Sequence, residues 1–198
     1  MANVDLWSET ALVSISSQGG SDVEFACSTE TVDIDIGDKD FDIINTLCGG
    51  RMVKFNPQGE TTITLEAYPL EAGTASGATG TGFFDLVNTA DSTQPLQISV
   101  DREHNKYRIA ILWTDKSGAT SAAGALASLS TESGLRVVAA DGYFISAKPS
   151  FTDGVLKYTV VFKVPAFDKS KSANVKVEST DGSADLDALA SYTSSAKW

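Results

Sequence analysis

The densest set of groups able to do chemistry is the run Asp33-Ile-Asp-Ile-Gly-Asp-Lys-Asp-Phe-Asp42, with five carboxylates in ten residues. Clustered carboxylates are what a hard cation such as calcium needs. The run fails the calcium-loop pattern, because Gly37 stands where an oxygen ligand belongs and the distal glutamate is missing. A solvated strand edge, kept by its charge from pairing with other chains, is the better reading, and cation binding by residues 33–42 stays open. His104, the only histidine, lies between Glu103 and Asn105. A catalytic triad also needs a positioned nucleophile and an oxyanion site, and nothing near His104 supplies either, so it reads as a surface-turn residue. Cys27 and Cys48 have no CxxC spacing and no cluster of histidines to complete a zinc site, and two buried free thiols are expected. Gly49-Gly50-Arg51 and the Gly80–Gly82 stretch lack a phosphate-loop lysine and a GxGxxG register, and read as turns. Acids are plentiful enough for a glycosidase-like pair, but no aromatic-rich sugar-binding stretch accompanies them. No catalytic, cofactor-binding or metal residue is therefore assigned, no cofactor is expected, and the chain reads as a non-enzyme.

The elements behind these residues are mostly strands. Ile63, Leu65 and Ala67 alternate with Thr62, Thr64 and Glu66. Tyr107, Ile109, Ile111 and Trp113 repeat the period, as do Leu156, Tyr158, Val160, Phe162 and Val164. Val32, Ile34 and Ile36 interleave with Asp33 and Asp35. Weaker strand signals cover 11–16, 23–27, 52–55, 96–100, 135–140, 143–148 and 175–178. Asp141-Gly142, Asp153-Gly154 and Asp181-Gly182 predict tight hairpin turns, and Asn56-Pro-Gln-Gly59 a further turn. Helix signals are confined to Phe83–Val87, a capped terminal segment Ser183–Ser191, and 119–129, which could be helix or loop. The aromatics Phe83, Phe84, Trp113, Tyr143 and Phe144 suit a β core or a subunit interface better than a stacking platform. Trp198 ends a Ser-rich tail, either docked or frayed.

The expected architecture is a mainly antiparallel β-sandwich or barrel with one or two short helices, a single domain over 1–198 with flexible loops near 71–82 and 116–131. Small residues dominate both loops and lose much entropy on ordering, so each is either an inter-subunit contact or an inert loop. No internal repeat is present.

At 198 residues, 42 % hydrophobic and 21 % charged, the chain can bury a core of good size. Its net charge of −11 argues against a general grip on nucleic acid. Residues 1–100 carry 15 acids and 3 bases, and residues 101–198 carry 11 and 12. Surfaces of unlike charge could set the docking of copies, or the acids could serve solubility alone. No secretory signal and no apolar run of bilayer length is present, and a cytoplasmic site of synthesis is expected.

Two segments resemble a known family. One runs from Val32-Asp-Ile-Asp-Ile-Gly-Asp-Lys-Asp through Gly49-Gly-Arg51 to Phe55-Asn-Pro-Gln-Gly-Glu-Thr-Thr-Ile-Thr-Leu-Glu-Ala-Tyr-Pro69 and Gly82-Phe-Phe-Asp-Leu86; the other is Gly142–Asp168. Together, across somewhat less than half the chain, they resemble the tube-forming major tail proteins of tailed bacterial and archaeal viruses. The resemblance implies a virion tail protein assembled in the host cytoplasm. It also implies a sandwich whose strands join those of its neighbours around a lumen, in stacked and typically hexameric rings. The partners so implied are copies of the chain itself, tail-tip or baseplate and terminator proteins, a tape measure protein during assembly, and DNA that passes through the lumen unbound during genome ejection. A negative lumen would repel the phosphates. An immunoglobulin-like binding or decoration module is the competing reading, separable by its staying monomeric. An enzyme would have to work without His104.

Overall fold

The computed structural model describes residues 10–20, 22–24, 29–67, 106–115, 119–126, 134–180 and 185–198. Ten strands lie in these stretches, all pairings are antiparallel, and no helix occurs among the described residues. They are β1 (Thr10–Ser17), β2 (Asp22–Glu24), β3 (Thr29–Asp35), β4 (Phe41–Asn45), β5 (Arg51–Phe55), β6 (Thr61–Ala67), β7 (Tyr107–Thr114), β8 (Gly134–Thr152), β9 (Val155–Val164) and β10 (Val175–Ser179). The order in the main sheet is β2-β1-β7-β8-β9-β6-β3, with β10 on the free side of β8.

The path folds into two layers because β8 serves both. Its first half pairs with β7 and β10, and its second half, from Tyr143, pairs with β9. The alternating residues of β1 and β7 (Val13, Ile15, Ile109, Ile111) meet those of β6 and β9 (Ile63, Leu65, Val160, Phe162, Val164) in one buried cluster. Each such side chain contributes about 2 kcal/mol of hydrophobic stabilisation. Against it Tyr107 and Phe144 meet edge to face and Phe144 and Phe162 at a tilt, with ring centroids 4.9 and 5.1 Å apart. The mainly β, antiparallel class expected from the sequence is the class observed.

Asp141-Gly142 does not turn the chain. Asp141 takes a positive φ of 58° and the β7–β8 register slips beside it, so the pair is an irregularity inside a 19-residue strand that the sequence had split in two. Gly142 is needed there for space: a Cβ would lie 2.3 Å from Phe162 Cζ and 2.6 Å from Val164 Cγ2. Gly142→Ala should cost about 1–3 kcal/mol by overpacking, seen as a fall of roughly 5 °C in Tm for a chain of this size. Asp153-Gly154 does close the β8–β9 hairpin, with φ of 53° and 79°. Residues 56–60 connect β5 to β6, running back beside 38–40 through Asn56 N–H to Asp40 O and Gly59 N–H to Asp38 O.

The outer face of the β1–β7–β8 layer is covered as well. Leu12, Ala110, Leu112 and Val138 pack under Ala122, Leu126 and Leu186, with Leu189 and Trp198 against them. Residues 119–126 are irregular yet packed inward, and Leu126 and Leu186 exchange both backbone hydrogen bonds. The expected terminal helix is therefore absent over 185–191, an irregular segment held by backbone bonds to Leu126 and Ala123. Trp198 is docked. The expected strand at 96–100, the helical turn at 83–87, the 71–82 loop and Asp181-Gly182 lie outside the described residues, as do His104 and Cys27.

Candidate functional site

β4 and β5 form a two-stranded sheet of their own, joined by a turn at Thr46–Gly50 in which Gly49 has φ of 75°. Thr46 Oγ1 donates to Gly50 O across it. The hairpin leaves the sandwich between the end of β3 and the start of β6, and no other strand packs against it among the described residues. Pairing of Phe41 with Phe55 and Ile43 with Val53 puts four large apolar side chains on one face. Ile44 and Met52 pair on the other, beside Asp42 and Lys54. All six are exposed, from 47 % for Ile44 to 66 % for Phe55, and Leu47 projects fully from the turn. The Phe41 and Phe55 rings lie 6.2 Å apart, and Lys39 Nζ sits 5.6 Å from the Phe55 ring centre.

An isolated two-stranded ribbon is marginally stable in water, and a contiguous exposed apolar patch marks a contact surface. The hairpin has the chemistry of an interface half: aromatic, aliphatic and Met side chains along its two faces, with Asp40, Asp42, Arg51 and Lys54 beside them. β3 closes one end of the strand order, with Asp33 and Asp35 exposed along it, while Val32 and Ile34 pack inward. The charges on that edge discourage indiscriminate pairing.

A second polar site lies under the C-terminal segment. Arg108 and Arg136, each 1 % exposed, point from β7 and β8 into the covered face. Arg108 donates to the carbonyls of Ala190 (2.6 Å) and Lys197 (3.2 Å). Arg136 donates to the carbonyls of Gly124 (2.9 Å) and Asp187 (2.6 Å) and pairs with Glu178 at 3.1 Å. Tyr192 is wholly buried. Its hydroxyl donates to Asp141 Oδ1 at 2.9 Å and accepts from Asp141 N–H, and burial followed by the Asp141 hydrogen bond pushes the phenol above its ordinary value. Lys197 Nζ donates to Asp168 Oδ2 and Asn174 Oδ1, both at 2.7 Å, and lies 3.4 Å from Asp141. These contacts hold the segment as a strap across the sheet.

The Lys197 hydrogen bond, aided by the Ser172 amide and opposed by partial burial, lowers the Asp168 carboxyl below its ordinary value. A depressed carboxylate stabilises the fold above its unfolded pKa, and that contribution vanishes as pH falls through the folded value. In Lys197→Gln the Asp168 resonance, followed by carboxyl carbon NMR, should titrate at higher pH, with earlier loss of protection at the Leu189 amide on acidification.

The acidic run does not converge. Asp33 and Asp35 lie on β3, Asp38 and Asp40 in the connection, and Asp42 on β4, bound to Asn56 Nδ2 at 3.3 Å. No group of three or more potential ligands gathers around a point among the described residues. Cys48 is exposed rather than buried, because it lies in the turn of a hairpin that no other described strand pairs with. Gly49-Gly50-Arg51 is the turn expected. Trp113 and Phe144 are core residues, and Tyr143 is half-buried. The sequence reading missed β4, the hairpin it forms and both buried arginines.

No protein-family model matches the chain, nor does any curated protein. Several solved structures resemble it. The sheath/tube terminator of an extracellular contractile injection system, PVC, in its extended state is 16 % identical over 90 % of this chain and 99 % of its own, with a TM-score of 0.49. The sheath-tube complex of that system is 17 % identical over 84 % and 87 %, with a TM-score of 0.44. An Hcp protein is 7 % identical over 89 % and 97 %, with a TM-score of 0.39.

Proposed function

We propose that the chain is a non-enzymatic structural subunit that assembles with copies of itself into stacked rings. The observation that carries this is the β4–β5 hairpin, which exposes apolar side chains on both faces and forms a sheet of its own, with no other strand among the described residues paired to it. A second copy supplies the matching surface at no cost in new sequence. The resemblance of 32–69 and 142–168 to tube-forming tail proteins supports the finer form of the proposal. In it the whole chain acts as one domain of the tail tube of a tailed virus or a related injection device. The rings are hexameric, capped by a terminator, seated on a tip or baseplate and measured by a tape measure protein, and the loop at 71–82 joins ring to ring. In a virion the acidity of the chain keeps the lumen from holding DNA.

Negative-stain electron microscopy with light scattering over a concentration series tests the proposal. Hollow rings or cylinders of uniform diameter are expected. A particle that stays monomeric, even when offered a tail-tip complex, would replace it with the binding-module reading.

A further inference from the structure

Strand register places two apolar features at opposite ends of the β8–β9–β6–β3 layer. Where β6 begins and β9 ends, Pro57, Tyr143, Ile145, Pro165 and Phe167 line a groove of about 440 Å³. Ile145 is the extra residue of a bulge in β8, skipped by the pairing between Phe144 and Ser146, and is 48 % exposed. A bulge re-aims its side chain, which is how Ile145 comes to line the groove. The charged pair in the groove, Lys163 and Glu60, is satisfied internally. A small-molecule site would offer convergent polar groups beside its apolar wall, and here the two charged ones are engaged with each other.

At the other end, the β8–β9 turn exposes Phe151 (73 %), Val155 and Leu156 on a narrow convex tip closed by Asp153 and Gly154. The register from Tyr143↔Lys163 to Thr152↔Val155 separates tip and groove by roughly 30 Å along one ribbon. Charge differs in the same sense. Beside the groove end, the 33–42 run carries five aspartates and one lysine, whereas the tip is balanced: Lys157 pairs with Glu66 at 3.2 Å, and Lys148 is offset by Asp153.

We propose that the groove receives the β8–β9 tip of a second copy, with Phe151 seated against Ile145 and Phe167. This rests on the self-assembly reading and adds which surfaces meet. Because the two surfaces differ and lie at opposite ends, the contact is head-to-tail and repeats along the strand direction, the geometry that stacks subunits instead of closing a pair. Two acidic groove ends repel each other while the balanced tip does not, which favours groove-to-tip over groove-to-groove docking and sets the polarity of the stack. The β4–β5 hairpin leaves from the groove end and flanks the incoming tip.

The test uses the whole chain with Cys27→Ser and Cys48→Ser, and with Ala166→Cys in the groove wall and Thr152→Cys beside Phe151 added, so that Ile145, Phe151 and Phe167 stay in place. Equal parts of isotopically light and heavy protein are assembled, checked by microscopy, treated with a short bis-maleimide and read by mass spectrometry. A mixed light–heavy link between 166 and 152 is expected in assemblies and absent from monomer. In a separate chain, Phe151→Asp should keep the circular dichroism of the parent and raise the concentration needed for stacking at least tenfold. Assemblies that form without that link, or a Phe151→Asp chain that stacks like the parent, would overturn the groove contact and leave self-assembly standing. A parent chain that forms no particle at any concentration, with or without a tail-tip complex, would overturn both.

Discussion

Phe41→Asp combined with Phe55→Asp is expected to leave the sandwich folded and to abolish assembly. The two rings are half to two-thirds exposed in the subunit and belong to neither buried core cluster, so the core does not register their loss. In an assembly each buries an apolar side chain worth about 2 kcal/mol. Removing both from one contact should weaken association by roughly a thousandfold, and placing charge in the interface core adds to that. Sedimentation velocity should show only monomer at concentrations where the parent forms large species, with Tm within about 2 °C of the parent. A double variant that assembles normally would show that the hairpin is not the contact surface.

The second large effect lies under the strap. Arg136→Leu removes the donor that serves Gly124 O, Asp187 O and the Glu178 carboxylate together. Glu178 keeps only its pair with Lys176 at 3.0 Å, and two largely covered carbonyls lose their partner. Breaking a buried charged network from one side costs about 3–5 kcal/mol. For a chain of this size that is a fall of roughly 10 °C in Tm. Because the lost bonds tie 119–126 and 185–198 to the sheet, cleavage of the C-terminal strap by added protease should rise well before global unfolding. Equal sensitivity of strap and core would mean that the strap does not release separately.

The strands that the sequence revealed are those with one wet and one dry face, as in β6, where Ile63 and Leu65 are buried and Thr62, Thr64 and Glu66 half-covered. In β7 the period was real but incomplete: Arg108, Ala110 and Leu112 looked like the wet face and are buried under a second layer. Nothing local marks that layer, since the strap arrives from 185–198. The same distance effect misled the reading of 185–191, whose composition favours helix while bonds to the Leu126 backbone and Arg136 hold it out of one. β4 escaped for the opposite reason. Ile43 and Ile44 are consecutive and both exposed, so no burial pattern set them apart from the acidic run they follow. The candidate surface was thus legible only as residues left over once the core had been assigned.

Strand order also dictates what the ribosome releases first. β4 and β5 pair across a five-residue turn and can form as soon as Phe55 has emerged. The sandwich cannot: β1 waits for β7, from Thr10↔Thr114 onwards, β6 waits for β9, and the outer face waits for the last residues of the chain. Long-range pairing closes slowly because the intervening loop must first be ordered. For much of its synthesis the nascent chain therefore displays its stickiest ribbon ahead of any folded body to carry it. Yield from cells should improve with slower expression at lower temperature, which keeps unfinished chains dilute until each has its own core.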